Sequence, residues 1–125
     1  MNRAKGVLLS VIVPVFNEAP TIAVSLDRLV AALPAEAEVI VVDDGSTDGT
    51  RDIVRRWMSA SGRADSARRA AQVTLLEHRK NRGKTAALRT GLAAARGEWV
   101  VVHDADLEYD PRDIGRLLDV ASAVG

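Results

Sequence analysis

The sequence predicts an α/β domain: a doubly wound, mostly parallel sheet with helices on both faces. Three observations predict it. Four short β-branched runs recur along the chain, at Leu8–Val13, Glu38–Asp43, Val73–Glu77 and Trp99–His103. Each run is nearly continuous in apolar residues, the pattern of strands buried on both faces. Each leads into a helical pattern, so the order is β-α-β-α-β-α-β-α, which implies right-handed crossovers in one sheet. The chain's 125 residues suit a single domain spanning residues 1–125.

The elements follow in order. Arg3 and Lys5 precede the first apolar run and loosely imitate a short signal sequence. Pro14 stops that run and Phe16-Asn17-Glu18 is a poor cleavage site, so the run reads as a buried strand and the default compartment is the cytoplasm. The first helix carries Ile22, Leu26, Leu29, Val30 and Leu33, with Pro20 near its first turn and Pro34 closing it. The second has Ile53, Val54 and Trp57, with Ser46, Thr47 or Asp48 able to cap its start. Ser59–Gln72 is polar, small-residue rich and long for a loop, and part of it extends the second helix. The third helix runs from about Lys84 to Ala95, with Leu88 and Leu92 on one face and Gly97 ending it. The fourth starts at Asp110-Pro111, a cap followed by a first-turn proline, and continues through Ile114, Leu117, Leu118 and Ala121.

Composition removes whole classes of function. Lys and Arg number 17, as do Asp and Glu, so no global basic field marks a nucleic-acid binder. With no Cys, disulfides, zinc–thiolate centres and thiol catalysis are excluded. Two His residues argue against a multi-histidine metal site, so a bound metal is expected to be oxygen-ligated, in the manner of Mg²⁺ or Mn²⁺. No uninterrupted apolar run reaches the roughly 18 residues of a membrane span. The P-loop, G-x-G-x-x-G and G-x-S-x-G patterns are all absent.

In open α/β sheets, ligands bind beyond the carboxyl ends of the strands. Four segments fall there. Asp104-Ala105-Asp106-Leu107-Glu108 follows the fourth strand; carboxylates spaced by one residue share a side of an extended chain, and hard divalent cations want such oxygens. Asp43-Asp44-Gly45-Ser46 follows the second strand. Its Asp, Gly and Ser also make turns and caps, but two adjacent acids repel and one suffices for a turn; the other could accept hydrogen bonds from a base or ribose. Asn17 and Glu18 follow the first strand, where Glu18 also suits a helix N-terminus. Asn81-Arg82-Gly83-Lys84 opens the third helix, where backbone amides and cations suit a phosphate. His78 and His103 read as structural more readily than as acid–base groups.

Together, Ser10–Glu18, Val41–Thr50, Asn81–Lys84 and Asp104–Leu107 resemble the motifs of family 2 glycosyltransferases, in the same order and across almost the whole chain. The similarity is greatest to the branch of dolichol-phosphate mannosyltransferases and bacterial polyprenyl-phosphate glycosyltransferases. The resemblance implies a GT-A fold, a Rossmann-like nucleotide-binding half, and a GDP- or UDP-sugar donor. It implies Mg²⁺ or Mn²⁺ held by Asp104 and Asp106, with Glu108 assisting. By the same resemblance Pro14, Phe16, Glu18, Val42 and Asp44 line the nucleotide pocket, with Lys84 at the phosphates. Asp104 and Ala105 then contact the ribose or diphosphate side.

The family implies inversion at C1 by one in-line attack, with the leaving diphosphate's charge neutralised by the metal. A lipid phosphate is already anionic and needs little help from a base, whereas a sugar hydroxyl needs one, and no convincing base is present. The resemblance covers the donor-binding half. The acceptor half, or a partner chain supplying it, lies outside this sequence, and the face where it docks is expected to be exposed. A polyprenyl-phosphate acceptor implies peripheral contact with the cytoplasmic membrane face. Competing readings are a nucleotide-sugar-binding module without transfer activity and, further off, a nucleotidyltransferase or a phosphate-receiving domain. The last places its acids after the first and third strands, whereas Asp43 and Asp44 follow the second.

Overall fold

A computed structural model describes residues 6–65 and 72–104. Four strands form one parallel sheet: β1 (Leu9–Val15), β2 (Ala37–Asp43), β3 (Gln72–Glu77) and β4 (Trp99–Val102). Their spatial order is β3-β2-β1-β4. The helices α1 (Ile22–Ala32), α2 (Thr50–Asp65) and α3 (Lys84–Ala94) connect them. The expected fourth helix lies outside the described residues. Among the described residues, no helix is long and apolar enough to cross a membrane.

Strand parity decides which side chain meets which helix. In β1 and β2 the odd-numbered residues Val11, Val13, Val15, Val39 and Val41 are buried against α1 and α2, with Ile22, Leu26, Leu29 and Val54. The even-numbered Ile12, Ile40 and Val42 pack on the other face against Ala87 of α3, with Leu76 and Leu88 beside them. Both faces of β1 and β2 are therefore covered, which is why their sequences are apolar without a break. The edge strand β4 is covered less, and Trp99, Val100 and Val102 are exposed.

The first strand extends two residues beyond the expected boundary. Pro14 pairs with Val42 and Val15 with Asp43. The backbone shows why a proline fits. His103 donates its N–H to the Ile12 carbonyl and Asp44 donates to Val15. Even positions of β1 thus turn their peptide groups toward β4, and β1–β4 pairing ends at Ile12–Val102. Pro14 lacks a donor where no ladder partner requires one. Its register partner on the β4 side would be Asp104, beyond the strand. Pro14 therefore opens the sheet where β1 and β4 part.

The second helix takes in the first part of the Ser59–Gln72 stretch, as expected, and ends at Asp65. The next helix differs from expectation. The third helix ends at Ala94, with Ala95 already extended, so Gly97 does not end it. Gly97 instead permits a close approach: a Cβ there would lie 2.7 Å from the Ser10 backbone nitrogen.

That approach belongs to a clasp at the amino end of the sheet. Glu38 is buried on the α3 face of β2. Its Oε2 accepts from the Ser10 hydroxyl at 2.6 Å and the Arg96 amide at 2.8 Å. Its Oε1 accepts from the Arg96 guanidinium at 3.2 and 3.1 Å. Removing one partner of a buried charged network strands the others. Glu38→Ala should cost about 3 kcal/mol in urea unfolding. A loss below about 1 kcal/mol would show that the clasp adds little to what any neutral contact supplies.

Candidate functional site

The carboxyl end of the sheet is built by three loops and the end of β4. The order in which strands are added reverses at β1, with α1 and α2 on one face and α3 on the other, so β1 and β4 diverge at a topological switch point. Such a point leaves a crevice for a ligand.

The loop after β1 is fastened to the loop after β2. Asn17 has φ +54°, a left-handed conformation that Asn tolerates better than most residues. Its Oδ1 accepts from the Thr47 amide at 2.8 Å, and its own amide donates to the Ser46 hydroxyl at 2.9 Å. The Glu18 amide donates to Thr50 Oγ1 at 2.9 Å and the Ala19 amide to Asp48 Oδ2 at 3.1 Å. Asp48 Oδ1 also accepts the Thr50 amide at 3.0 Å at the start of α2. Of the three candidate caps, Asp48 is the one that accepts an amide at the helix start, from one residue before the N-cap position of Gly49, while Ser46 and Thr47 bind Asn17.

Parity also separates the two adjacent acids. Asp43 is odd and faces α2, where Oδ2 accepts from Arg51 Nε and from the Ser46 amide, each at 3.1 Å. Asp44 turns to the opposite face. Its Oδ1 contacts His78 Nδ1 at 2.7 Å and accepts the Arg82 amide at 2.9 Å. Its Oδ2 accepts Asn81 Nδ2 at 3.0 Å and the Gly83 amide at 2.9 Å. Burial alone would push the Asp44 carboxyl up. The His78 contact and the Arg82 and Gly83 amides outweigh it and hold the group below its ordinary value. The repulsion expected of neighbouring acids is thus relieved, because each points to its own set of donors.

A cleft of about 470 Å³ opens beside Asp44. That is within the range of small-molecule sites. Pro14, Phe16, Glu18, Asp44, Lys84 and Asp104 line it, joined by Val15, Asn81, Gly83 and Ala87. Six expected site residues from four separate segments thus meet in one place. Val42 does not reach it; the side chain is fully buried beneath, against α3. Ala105, Asp106 and Glu108 lie outside the described residues. At the cleft Lys84 Nζ donates to Asp104 Oδ2 at 2.5 Å. His103, just before Asp104, is buried, which pushes its pKa down.

The Arg82 and Gly83 amides, offered by the sequence as phosphate donors, already donate to Asp44. Of the two cations in this segment, Arg82 and Lys84, it is Lys84 that lines the cleft. Asn81 and Gly83 belong to a motif the sequence flags, but their bonds to Asp44 span 37 and 39 residues, and only the tertiary fold pairs them. Among the described residues no group of three His, Cys, Asp or Glu side chains could hold a metal ion. Asp104 offers one carboxylate at the cleft, a hard oxygen donor of the kind Mg²⁺ or Mn²⁺ takes together with substrate phosphates.

Comparison with known proteins fits this geometry. A dodecaprenyl-phosphate galacturonate synthase from Rhizobium johnstonii is 38% identical over 113 residues, which is 88% of this chain and 31% of that protein. An undecaprenyl-phosphate 4-deoxy-4-formamido-L-arabinose transferase from Aeromonas hydrophila is 36% identical over 124 residues, 97% of this chain and 36% of that one. The chain therefore spans about a third of the length of these curated relatives. Among solved structures, a mannosyltransferase from Pyrobaculum calidifontis in complex with GDP-Man and Mn²⁺ superimposes with a TM-score of 0.69 at 44% identity, over 84% of this chain and 29% of that one. The parallel sheet, with its helices on both faces, shares the GT-A fold of that neighbour. The profile described as Glycosyl transferase family 2 matches residues 10–124, which include every segment that builds the cleft, and the chain belongs to that family.

Proposed function

We propose that this chain binds a nucleoside-diphosphate sugar, GDP- or UDP-linked, with Mg²⁺ or Mn²⁺, as the donor-binding part of an inverting glycosyltransferase whose acceptor is a polyprenyl phosphate. The observation that carries this is the cleft at the β1–β4 switch point, where Lys84 and Asp104 face each other beside Glu18 and Asp44. The lipid-phosphate relatives and the GDP-mannose-bound neighbour support the substrate classes. A relative's length beyond this chain, or a partner chain, would supply the acceptor half. A lipid acceptor places the working enzyme at the cytoplasmic membrane face.

Pro14, Phe16, Glu18 and Asp44 would form the wall for the base and ribose, with Val42 supporting it from below. By the family resemblance Asp104 and Asp106 would hold the metal, assisted by Glu108, and Ala105 would contact the diphosphate side. When bound, the metal supplies Lewis-acid stabilisation of the leaving diphosphate. Lys84 adds a second positive charge at the same end of the cleft. Its ammonium is a point charge suited to phosphate oxygens, and it requires no proton transfer to act. The acceptor phosphate brings its own negative charge, so the chain's residues need only align it for in-line attack.

The test is calorimetric titration of GDP-mannose and of a UDP-sugar, with and without Mn²⁺. Binding should require the metal, and Asp106→Ala should weaken it by more than about a hundredfold, since even residues that only orient metal ligands contribute about 10–100-fold. Unchanged binding in Asp106→Ala would remove the metal assignment. Absence of binding by the unaltered chain would remove the functional reading itself.

A further inference from the structure

We propose that His78 is a positioning residue for nucleotide-sugar binding, acting through Asp44 on the turn that carries Lys84 to the cleft. This rests on the donor-site reading above. His78 is buried and does not line the cleft, yet both ring nitrogens are engaged. Nδ1 lies 2.7 Å from Asp44 Oδ1 at the end of β2, and Nε2 lies 2.8 Å from Thr90 Oγ1 on α3. Its amide donates to the Asp43 carbonyl at 2.8 Å, and its carbonyl accepts from Arg51 Nη2 at 3.2 Å. One residue thus joins β2, α2 and α3 at the rim of the site.

The chemistry gives this joint a direction. An ionised carboxylate only accepts hydrogen bonds, so the proton of the Asp44 contact sits on His78 Nδ1. That bond fixes the rotation of the Asp44 carboxylate. The same carboxylate holds the Arg82 and Gly83 amides, so a rotated Asp44 releases the turn immediately before Lys84. Thr90 anchors the ring six residues further along the helix that Lys84 begins. A side chain that merely filled space would need neither nitrogen.

Two substitutions separate the nitrogens. The amide of His78→Asn can reach the Nδ1 position and keep the Asp44 contact. The amide of His78→Gln reaches the Nε2 position and keeps only Thr90. GDP-mannose and UDP-glucose affinities with Mn²⁺ are measured for both, alongside the midpoint of thermal unfolding. His78→Asn should bind within threefold of the unaltered chain. His78→Gln should bind about tenfold more weakly, the effect of one charge-assisted hydrogen bond. In a Lys84→Met background that tenfold loss should shrink below about threefold, because both changes disable the same contact. Equal affinities for the Asn and Gln variants overturn the proposal, as does a His78→Gln loss that persists in full beside Lys84→Met. If the unaltered chain binds no nucleotide sugar, the donor-site reading fails first and this inference falls with it.

Discussion

Gly45→Ala should lower stability by about 3 kcal/mol and abolish nucleotide-sugar binding. Gly45 has φ +79°, where a Cβ strains the backbone. Its surroundings are the larger problem. An added Cβ would lie 2.3 Å from the Asn81 backbone nitrogen and 2.4 Å from the Lys80 carbonyl carbon. These are backbone atoms, and no rotamer change moves them away. Strain of about 1–3 kcal/mol and a comparable overpacking cost combine at one position. Relief requires the 79–83 turn to move off Asp44, which breaks the bonds that frame the cleft. For a domain of this size the loss corresponds to about 10 °C in the thermal midpoint.

Gly49→Ala is the internal control. Gly49 also has positive φ, +95°, but nothing lies within 4 Å of its added Cβ. It should lose only the backbone term, about 1 kcal/mol. Thermal unfolding and Mn²⁺-dependent nucleotide titration of both variants check the contrast. Equal losses would mean that the turn over Gly45 is not the tight joint described.

The contrast shows what kind of information the sequence carries. Local pattern reveals the strands, because burial on both faces leaves an apolar run that no loop would keep. It reveals the rim as well, because acids, Gly and Asn gather where runs end. It does not reveal why Gly45 must be Gly, since the atoms it would meet belong to Lys80 and Asn81, 35 and 36 residues away. Asn17 is similar: its partners are Ser46 and Thr47, and only the parallel β1–β2 pairing brings them together. Strand parity could have separated Asp43 from Asp44 in advance. Asp43 shares its face with Val39 and Val41, and Asp44 with Ile40 and Val42. The same parity puts Val42 on the inner face, where a helix covers it. His78 carried no local signal beyond its place after β3, because its role depends on a carboxylate and a hydroxyl from two other elements.

Asp44→Ala should be the most damaging single change at the rim, costing about 3–5 kcal/mol and eliminating nucleotide binding. It leaves His78 Nδ1 and the Arg82 and Gly83 amides without their acceptor, while Asn81 Nδ2 keeps only the Asp44 backbone carbonyl at 3.2 Å. Hydrogen bonds to charged groups contribute about 1.5–3 kcal/mol each, and water reaches the exposed Asn81 and Arg82, so the sum is only partly lost. Asp44→Asn isolates the charge at nearly constant shape. Its amide nitrogen meets two donors that need an acceptor, so about 2 kcal/mol should go. The pH dependence identifies the cause. The Asp44 carboxyl is held below its ordinary value of 3.8 in the folded chain. The unfolded chain therefore takes up the proton first as the pH falls. The stabilisation is complete above the unfolded value and is lost as the pH drops through the lowered folded value. The gap in thermal midpoint between the unaltered chain and Asp44→Asn should accordingly be constant from neutral pH down to about pH 4 and narrow below it. A gap that stays unchanged below about pH 4 would show that shape, and not the ionised carboxylate, holds the turn in place.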